Sequence, residues 1–281
     1  MRRVGVATCD QKNIDPDSPV LLAALREVGL DAQLCAWDDP LVDWDRFDLV
    51  VVRSTWDYAP RRDTFLAWAQ RLARVDNPYP VLAYSSDKHY LADLAARGHR
   101  VVPSHFCDVG ALAVLPEGDF VVKPCVGAGS IDAQRYSAHQ HEVALAHVAS
   151  LHARGGDALI QPYVASVDER GERALIFLDG EFSHAMTKAA MLNVAASTRD
   201  PSFRRNQMSI AEGEVDAVTF ASEVLEDAGC TSLLYARVDL VLTEEGWALM
   251  ELELVEPSLF LSFAPSAPGR LARAVARRVG A

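Results

Sequence analysis

Apolar residues in the first third of the chain alternate between strand-like runs and helix-like spacing. Residues 3–8 and 48–53 are period-2 or continuous apolar runs, whereas residues 19–28 and 63–75 are amphipathic with helical spacing. Strands that alternate with helices predict a parallel sheet covered by helices. The N-terminal third is therefore predicted to be an α/β unit.

The middle and the C-terminal parts of the chain follow other patterns. Residues 119–124 and 158–161 predict strands on either side of a helix over 138–153. From residue 172 onward the apolar runs fall in pairs joined by tight turns, and Asp179-Gly180 is a strong hairpin signal. We therefore predict an α/β chain with α+β lobes. The predicted lobes are an N-terminal α/β domain over 1–86, a central domain over 87–164 and a C-terminal domain over 165–281.

The composition favours a folded protein without a nucleic-acid or membrane partner. Half of the 281 residues are hydrophobic, and a net charge of -12 without a basic block gives a nucleic-acid backbone nothing to bind. Five scattered cysteines without a C-x-x-C pair argue against a disulfide framework and a zinc site. No apolar run is long enough for a bilayer span or a signal peptide. The expected location is the cytoplasm.

Two strands near the C terminus, residues 233–243 and 247–254, predict an antiparallel hairpin. The segment Glu244-Glu245-Gly246 joins them and ends in glycine, where a three-residue hairpin loop needs a left-handed residue. With this loop Thr243 faces Trp247, which fixes the register of the hairpin.

This register brings four charged side chains to one face of the hairpin. Asp239 lies opposite Glu251. Arg237 lies opposite Glu253. The same face also carries Tyr235, Val241, Trp247 and Leu249. Facing carboxylates need a cation, and three oxygen donors favour Mg2+ held together with phosphate oxygens and water. The alternative is a solvated acidic face with one Arg–Glu pair.

A strand that ends in lysine runs into a loop of small residues. Lys123 lies at the end of the strand over 119–124, and the loop Gly127-Ala128-Gly129-Ser130 follows it. Backbone N–H groups of such a loop can approach phosphate oxygens while the ammonium group neutralises their charge. A glycine pair after a strand is also an ordinary turn, and the segment matches neither the P-loop nor the Rossmann motif.

The order of these motifs resembles the ATP-grasp superfamily of ligases. The strand with Lys123, its glycine loop, the segment Gln161-Pro162-Tyr163-Val164 and the carboxylate hairpin follow one another as in that family. The resemblance spans nearly the whole chain. It implies an ATP-grasp fold of three lobes with ATP bound between the central lid and the C-terminal lobe.

The resemblance implies ligands for ATP and for Mg2+. The implied ATP-binding residues are Lys88, Lys123, Gly127, Ala128, Gly129, Ser130, Gln161, Tyr163, Val164 and Glu169. Lys88 is also consistent with a solvated lysine at a helix start. The implied Mg2+ ligands are Asp239, Glu251 and Glu253. The last position is commonly asparagine in the family, so this site is more acidic than usual.

Residues 190–213 have little periodicity, which is typical of a long functional loop. Within them Phe203-Arg204-Arg205-Asn206 is similar to the family's F-R-x-N element. The resemblance implies that Arg204 and Arg237 are catalytic and hold an acyl phosphate.

The substrate is expected where the strand over 48–53 ends, because ligands gather at the carboxyl ends of parallel strands. The segment Arg53-Ser54-Thr55-Trp56-Asp57-Tyr58 offers a cation, hydroxyls, an aromatic wall and an anion, which suit a small amino-acid-like substrate. Trp56 and Tyr58 are equally consistent with packing. Arg173 and Lys188 complete the predicted substrate residues. The oligomeric state is not fixed, and a homodimer is one open alternative.

Four segments, residues 7–9, 37–40, 51–58 and 251–253, resemble the ATP-grasp subgroup that contains the D-cycloserine-forming cyclo-ligase. This resemblance implies a carbon–nitrogen ligase that phosphorylates the carboxylate of O-ureido-D-serine. Attack by the ureido nitrogen next to oxygen would then give D-cycloserine, with carbon dioxide and ammonia lost. Two alternatives are an intermolecular amino-acid or peptide ligase of the glutathione-synthetase type and a non-catalytic nucleotide-binding module. ADP release with a sole amino acid would separate cyclisation from both.

Overall fold

The computed structural model describes residues 1–10, 15–190, 192 and 208–281. The strands of these residues form one parallel sheet and two antiparallel sheets. Among the helices of the described residues, none has both the length and the apolar character needed to cross a bilayer.

The first sheet is parallel, as the alternation of strands and helices predicts. Its strand order is β2-β1-β3-β4. Its strands and helices are β1 (Arg3–Thr8), α1 (Asp17–Glu27), β2 (Asp31–Ala36), β3 (Leu49–Ser54), α2 (Arg62–Arg71), β4 (Val75–Asp76) and α3 (Tyr79–Ser85). One face packs on α1, and the other buries an aromatic cluster that includes Trp37, Phe65 and Trp68.

The second sheet is antiparallel and has the strand order β5-β8-β6-β7. The elements of this part of the chain are α4 (Tyr90–Ala96), β5 (His105–Cys107), β6 (Phe120–Pro124), β7 (Gln134–Tyr136), α5 (His141–Ala153) and β8 (Ala158–Pro162). Helix α5 covers one face of the sheet because Ala144, Val148 and Leu151 share a core with Phe120 and Ile160.

The third sheet is antiparallel and has the strand order β11-β10-β9-β12-β13. Its part of the chain contains α6 (Ser166–Arg170), β9 (Glu172–Leu178), β10 (Glu181–Lys188), β11 (Met208–Ala211), α7 (Val215–Asp227), β12 (Tyr235–Thr243), β13 (Gly246–Glu253) and α8 (Ala267–Val279). Helix α7 covers one face of this sheet. On the other face, Ile176 and Leu178 share a core with α8, α1 and the first sheet.

The hairpin of β12 and β13 has a shorter turn than the sequence predicts. Thr243 pairs with Gly246 instead of Trp247, so the connection consists of Glu244-Glu245 alone. Gly246 has a φ of +109°, a conformation that favours glycine, but it belongs to the strand and not to the loop. The predicted three-residue loop is therefore wrong.

A β-bulge at Met250 compensates for the shorter turn. Asp239 pairs with Glu251, whereas the next pair is Leu240 with Leu249, so Met250 is an extra residue on β13. Because the two deviations cancel, the predicted pairing of Asp239 with Glu251 forms. The predicted pairing of Arg237 with Glu253 forms for the same reason.

The bulge also exchanges the faces of β13 between the turn and Met250. Trp247 and Leu249 lie in the core under α7 and not on the carboxylate face, which corrects the predicted alternation. Ala248 takes that face instead and packs with Val241.

Helix α4 packs against the third sheet, although the predicted boundary at residue 86 assigns it to the central lobe. Tyr90, Leu91 and Leu94 share a core with Leu252, and the Tyr90 hydroxyl accepts a 2.8 Å hydrogen bond from the Leu252 backbone N–H. Packing therefore groups α4 with the C-terminal lobe. The lobe boundaries at 86 and 164 stay predictions.

A buried asparagine joins the first lobe to the third sheet. The Asn77 side chain donates to the carbonyls of Tyr235 (2.9 Å) and Leu254 (2.7 Å) and accepts from the Leu234 N–H (3.2 Å). Asn77 and the three residues it bonds are each 0% exposed, so water cannot replace these hydrogen bonds. This side chain stabilises the interface between the two lobes.

Replacement of Asn77 by alanine is expected to lower the free energy of unfolding by about 3 kcal/mol, because it leaves buried backbone groups unsatisfied. Urea denaturation measures the loss. Gln70→Ala removes an exposed amide from α2 and serves as the control. An equal, small effect of both substitutions would show that Asn77 does not stabilise the interface.

Candidate active site

A cavity of about 1380 Å³ is lined by strand residues of the second and third sheets and by residues that follow the strands of the first sheet. The central lobe contributes Lys123, the C-terminal lobe contributes Glu251, and the N-terminal lobe contributes Trp56. The motifs that the sequence singled out separately therefore meet in one space.

Three carboxylates on one face of the hairpin can supply oxygen ligands to a metal ion. Asp239, Glu251 and Glu253 each offer an oxygen, and these oxygens lie within 4.8 Å of one another. Asp239 lies on β12 and the two glutamates lie on β13, so the hairpin register alone brings them together. An all-oxygen set of hard donors fits Mg2+ and not a metal that prefers sulfur or nitrogen.

Two cations pair with Asp239, the most deeply buried of the three carboxylates. It is 0% exposed, and its oxygens accept from Lys188 Nζ (2.7 Å) and Arg237 Nε (2.9 Å). Lys188 also pairs with Glu172 at 2.6 Å. Arg237 Nη2 reaches further and donates to Glu253. Asp239 and four other charged side chains therefore form one connected network.

The network shifts the pKa of each carboxyl differently. Burial alone would raise the pKa of Asp239, but the charges of Arg237 and Lys188 outweigh burial and lower it. Glu251 behaves in the same way, with Lys123 as the strongest opposing charge. Burial raises the pKa of Glu253 to about 7, because Asp239 and Glu251 repel its charge while Arg237 only partly offsets this. A cation bound at this face would therefore stabilise the ionised form of Glu253.

Lys88 and Lys123 line the cavity together with the glycine loop. Lys88 Nζ donates to the Gly127 carbonyl (3.1 Å), and Lys123 Nζ pairs with Glu251 (2.6 Å). The backbone N–H groups of residues 127–130 donate no hydrogen bond to any described residue. Two ammonium groups beside free N–H groups suit the oxygens of a polyphosphate.

The hinge segment after β8 offers an apolar surface at another part of the cavity wall. Tyr163 and Val164 pack with Val241 and Met250, and the guanidinium of Arg135 lies 3.5 Å from the Tyr163 ring centroid. Gln161 is buried and donates to Ser104 at 2.9 Å. Such a surface suits a flat ring such as adenine. Glu169 is exposed and does not line the cavity, so the geometry gives its predicted role no support.

Only half of the predicted substrate segment lines the cavity. Trp56, Asp57 and Tyr58 do so, whereas residues 53–55 are almost fully buried behind the cavity wall. Arg53 is 1% exposed, and its Nη2 donates to the Pro257 carbonyl at 2.8 Å. This corrects its predicted contact with substrate, since Arg53 holds a loop of the protein instead.

Strand alternation turns Arg173 away from the cavity. Its guanidinium pairs with Glu214 (2.8 Å) and donates to Thr187, and neither lines the cavity. The preceding residue, Glu172, lines the cavity and pairs with Lys188. The neighbour Glu172, which was not among the predicted site residues, therefore takes the place expected for Arg173. Lys188 itself lines the cavity.

Of the two arginines predicted to be catalytic, Arg237 lies among the described residues and Arg204 does not. Arg237 lines the cavity at the carboxylate face. Arg204 and its element over 203–206 lie outside the described residues. The role of Arg204 therefore stays a prediction from the sequence.

The segment 255–259 after β13 is a part of the site that the sequence reading did not use. Each of its five consecutive carbonyls accepts a hydrogen bond from a side chain. In chain order the donors are Tyr235 Oη (2.9 Å), Trp56 Nε1 (2.9 Å), Arg53 Nη2 (2.8 Å), Arg237 Nη1 (3.1 Å) and His184 Nε2 (3.0 Å). The segment is therefore held rigidly beside the carboxylate face. A sequence signal existed, because Glu256-Pro257 closely follows the alternating glutamates Glu251 and Glu253.

Comparisons with known proteins agree with this geometry. The family model described as the D-cycloserine synthetase DcsG N-terminal domain matches residues 4–78. The cycloserine biosynthesis protein DcsG of Streptomyces lavendulae is 41% identical over 283 residues, with 95% of each chain covered. The crystal structure of D-cycloserine synthetase DcsG is similar with a TM-score of 0.89 and 36% identity, over 99% of both chains.

More distant structures share the fold alone. D-alanine–D-alanine ligase from Bacillus anthracis, complexed with ATP, has a TM-score of 0.70 at 12% identity, covering 99% of this chain and 97% of that one. The ATP-grasp ligase PsnB has a TM-score of 0.63 at 16% identity, over 99% of both chains. The ATP-grasp fold predicted from the order of motifs is confirmed.

Lys188→Met is expected to lower the free energy of unfolding by about 3 kcal/mol, because Asp239 and Glu172 each lose a buried cation. Arg154→Met removes an exposed ion pair with Asp132 and is expected to have a much smaller effect. Chemical denaturation of both variants measures the difference. Similar losses would mean that the buried network does not stabilise the fold more than a surface pair.

Proposed function

The chain belongs to the D-cycloserine synthetase family of ATP-dependent ligases, and from this premise we propose that it closes O-ureido-D-serine to D-cycloserine. The observation that supports the proposal most is the shared cavity. One space is lined by Glu251 and Glu253 of the carboxylate triad, by two lysines beside a glycine loop, and by residues 56–58. Such a space can take a nucleotide triphosphate and a small amino acid side by side.

The proposed reaction has three steps. A carboxylate oxygen of the substrate attacks the γ-phosphorus of ATP, and ADP leaves. The ureido nitrogen bonded to oxygen then attacks the acyl carbon, loses its proton, and releases phosphate as the ring closes. Water hydrolyses the remaining carbamoyl group to carbon dioxide and ammonia. No nucleophile from the protein is required.

The chain's own residues would position the reactants and offset their charge. Lys88 and Lys123 would bind the phosphate oxygens of ATP, where the N–H groups of the glycine loop are also available. The triad of Asp239, Glu251 and Glu253 would hold Mg2+, which supplies positive charge to the phosphates when bound. Arg237 would hold the phosphate of the acyl phosphate, with Arg204 as a second cation predicted from the sequence.

The fold alone does not separate ring closure from intermolecular ligation, since D-alanine–D-alanine ligase shares it. What favours ring closure is the 41% identity to DcsG along 95% of the chain. A cytoplasmic location and a homodimer remain predictions from the sequence.

Incubation of the protein with ATP, Mg2+ and O-ureido-D-serine is expected to release ADP and phosphate together with a product of the mass of D-cycloserine. Lys123→Met is expected to lower the rate at least roughly 100-fold, since it removes a cation that stabilises charge in the transition state. Arg97→Met, an exposed change directly after α4 and away from the cavity, is the control and should leave the rate unchanged. Coupled ADP detection and mass spectrometry measure both.

The same assay contains the outcomes that would reject the proposal. Bound ATP without ADP release in the presence of O-ureido-D-serine would exclude this substrate. ADP release that requires two different amino acids would identify an intermolecular ligase instead.

A further inference from the structure

Glu256 is a buried carboxyl on the cavity wall that lacks a partner for its charge. It is 8% exposed and lines the cavity, yet its carboxylate makes no hydrogen bond or ion pair with any residue that the structure describes. The other buried carboxylates of the wall differ in this respect. Asp17, for example, accepts from the Ser262 backbone N–H, and Asp15 accepts from the Ser18 hydroxyl.

An unpaired carboxylate in such a place is costly, because it has lost water without gaining a hydrogen-bond donor. Burial, together with repulsion from Glu253, raises the pKa of Glu256 to about 8. A cationic group of a ligand at hydrogen-bond distance would remove this cost. The position is therefore suited to a positively charged part of the substrate.

We propose that Glu256 binds the α-ammonium group of the substrate. This inference rests on the proposed function, which makes the substrate an α-amino acid. In an α-amino acid the ammonium and the carboxylate are attached to the same carbon, so their binding groups must be neighbours. Glu256 follows Glu253 by three residues, and Arg237 contacts both Glu253 and the Ser258 carbonyl. The ammonium site thus lies next to the site of carboxylate activation.

The backbone around Glu256 is held in place from the N-terminal lobe. Trp56 Nε1 donates to the carbonyl of Glu256 itself, and Arg53 Nη2 donates to that of Pro257. A carboxylate on a segment fixed in this way loses little further freedom when it binds a ligand. The segment therefore has the rigidity expected of a binding site.

The test compares binding of two ligands to the wild type and to Glu256→Gln. The ligands are O-ureido-D-serine and 3-(ureidooxy)propanoic acid, which lacks only the α-amino group. Isothermal titration calorimetry is done with Mg2+ and a non-hydrolysable ATP analogue present. The wild type is expected to prefer the amino acid by about 30-fold or more, as is typical for a buried charge pair, and Glu256→Gln to lose this preference. Glu244→Gln, the same change at the exposed turn, should keep it.

Each outcome decides between the interpretations. A Glu256→Gln variant that keeps the preference overturns the inference, and so does a fall in kcat with unchanged binding and unchanged preference. If Glu256→Gln does not fold, Glu256→Asp retains the charge and should keep part of the preference, whereas a complete loss would argue against charge recognition. If the wild type binds the nucleotide but neither ligand, the proposed function fails as well. That result is distinct from a failure confined to the variant.

Discussion

The burial of Asp239 is the constraint on which the geometry of the cavity depends. A carboxylate that is 0% exposed must be surrounded by donors, and Lys188 and Arg237 supply them from β10 and β12. Lys188 also pairs with Glu172 on β9, so one ion network fixes three neighbouring strands. Arg237 extends the network to Glu253 and to the carbonyl of Ser258. Arg237 thereby connects the carboxylate face to segment 255–259 on the substrate side.

The carboxylate hairpin shows how far the sequence could predict this site. The pairing of Asp239 with Glu251 follows from strand periodicity, but it was reached through a turn of the wrong length and a bulge that was not foreseen. Glu-Glu-Gly fits a two-residue or a three-residue connection, and an extra residue such as Met250 leaves no mark in an apolar strand. Alternation thus identified the face at Asp239 correctly and failed at Trp247, beyond the bulge.

The substrate side was harder to predict because its elements are buried on both faces. All six residues of β3 are buried, so alternation could not tell which of them face a ligand, and Arg53 is behind the wall. On β9 the predicted substrate residue was Arg173, whereas its neighbour Glu172 lines the cavity. Glu256 was not predicted because its segment is held by hydrogen bonds from distant residues. Trp56, for example, is about two hundred positions away in sequence. Such contacts arise only from the packing of the lobes.

The substrate side of the cavity and its nucleotide side are held by different contacts. The segment 255–259 is bonded both to the N-terminal lobe through Arg53 and to the third sheet through Arg237. The central lobe reaches the triad through the ion pair of Lys123 with Glu251. Phosphate oxygens would compete with Glu251 for that lysine, so nucleotide binding and metal binding at the triad are coupled through a single side chain. On the substrate side, the carbonyls of segment 255–259 already accept hydrogen bonds from the protein. The carboxylate of Glu256 has no partner among the described residues, so a ligand can bind it without displacing a protein group.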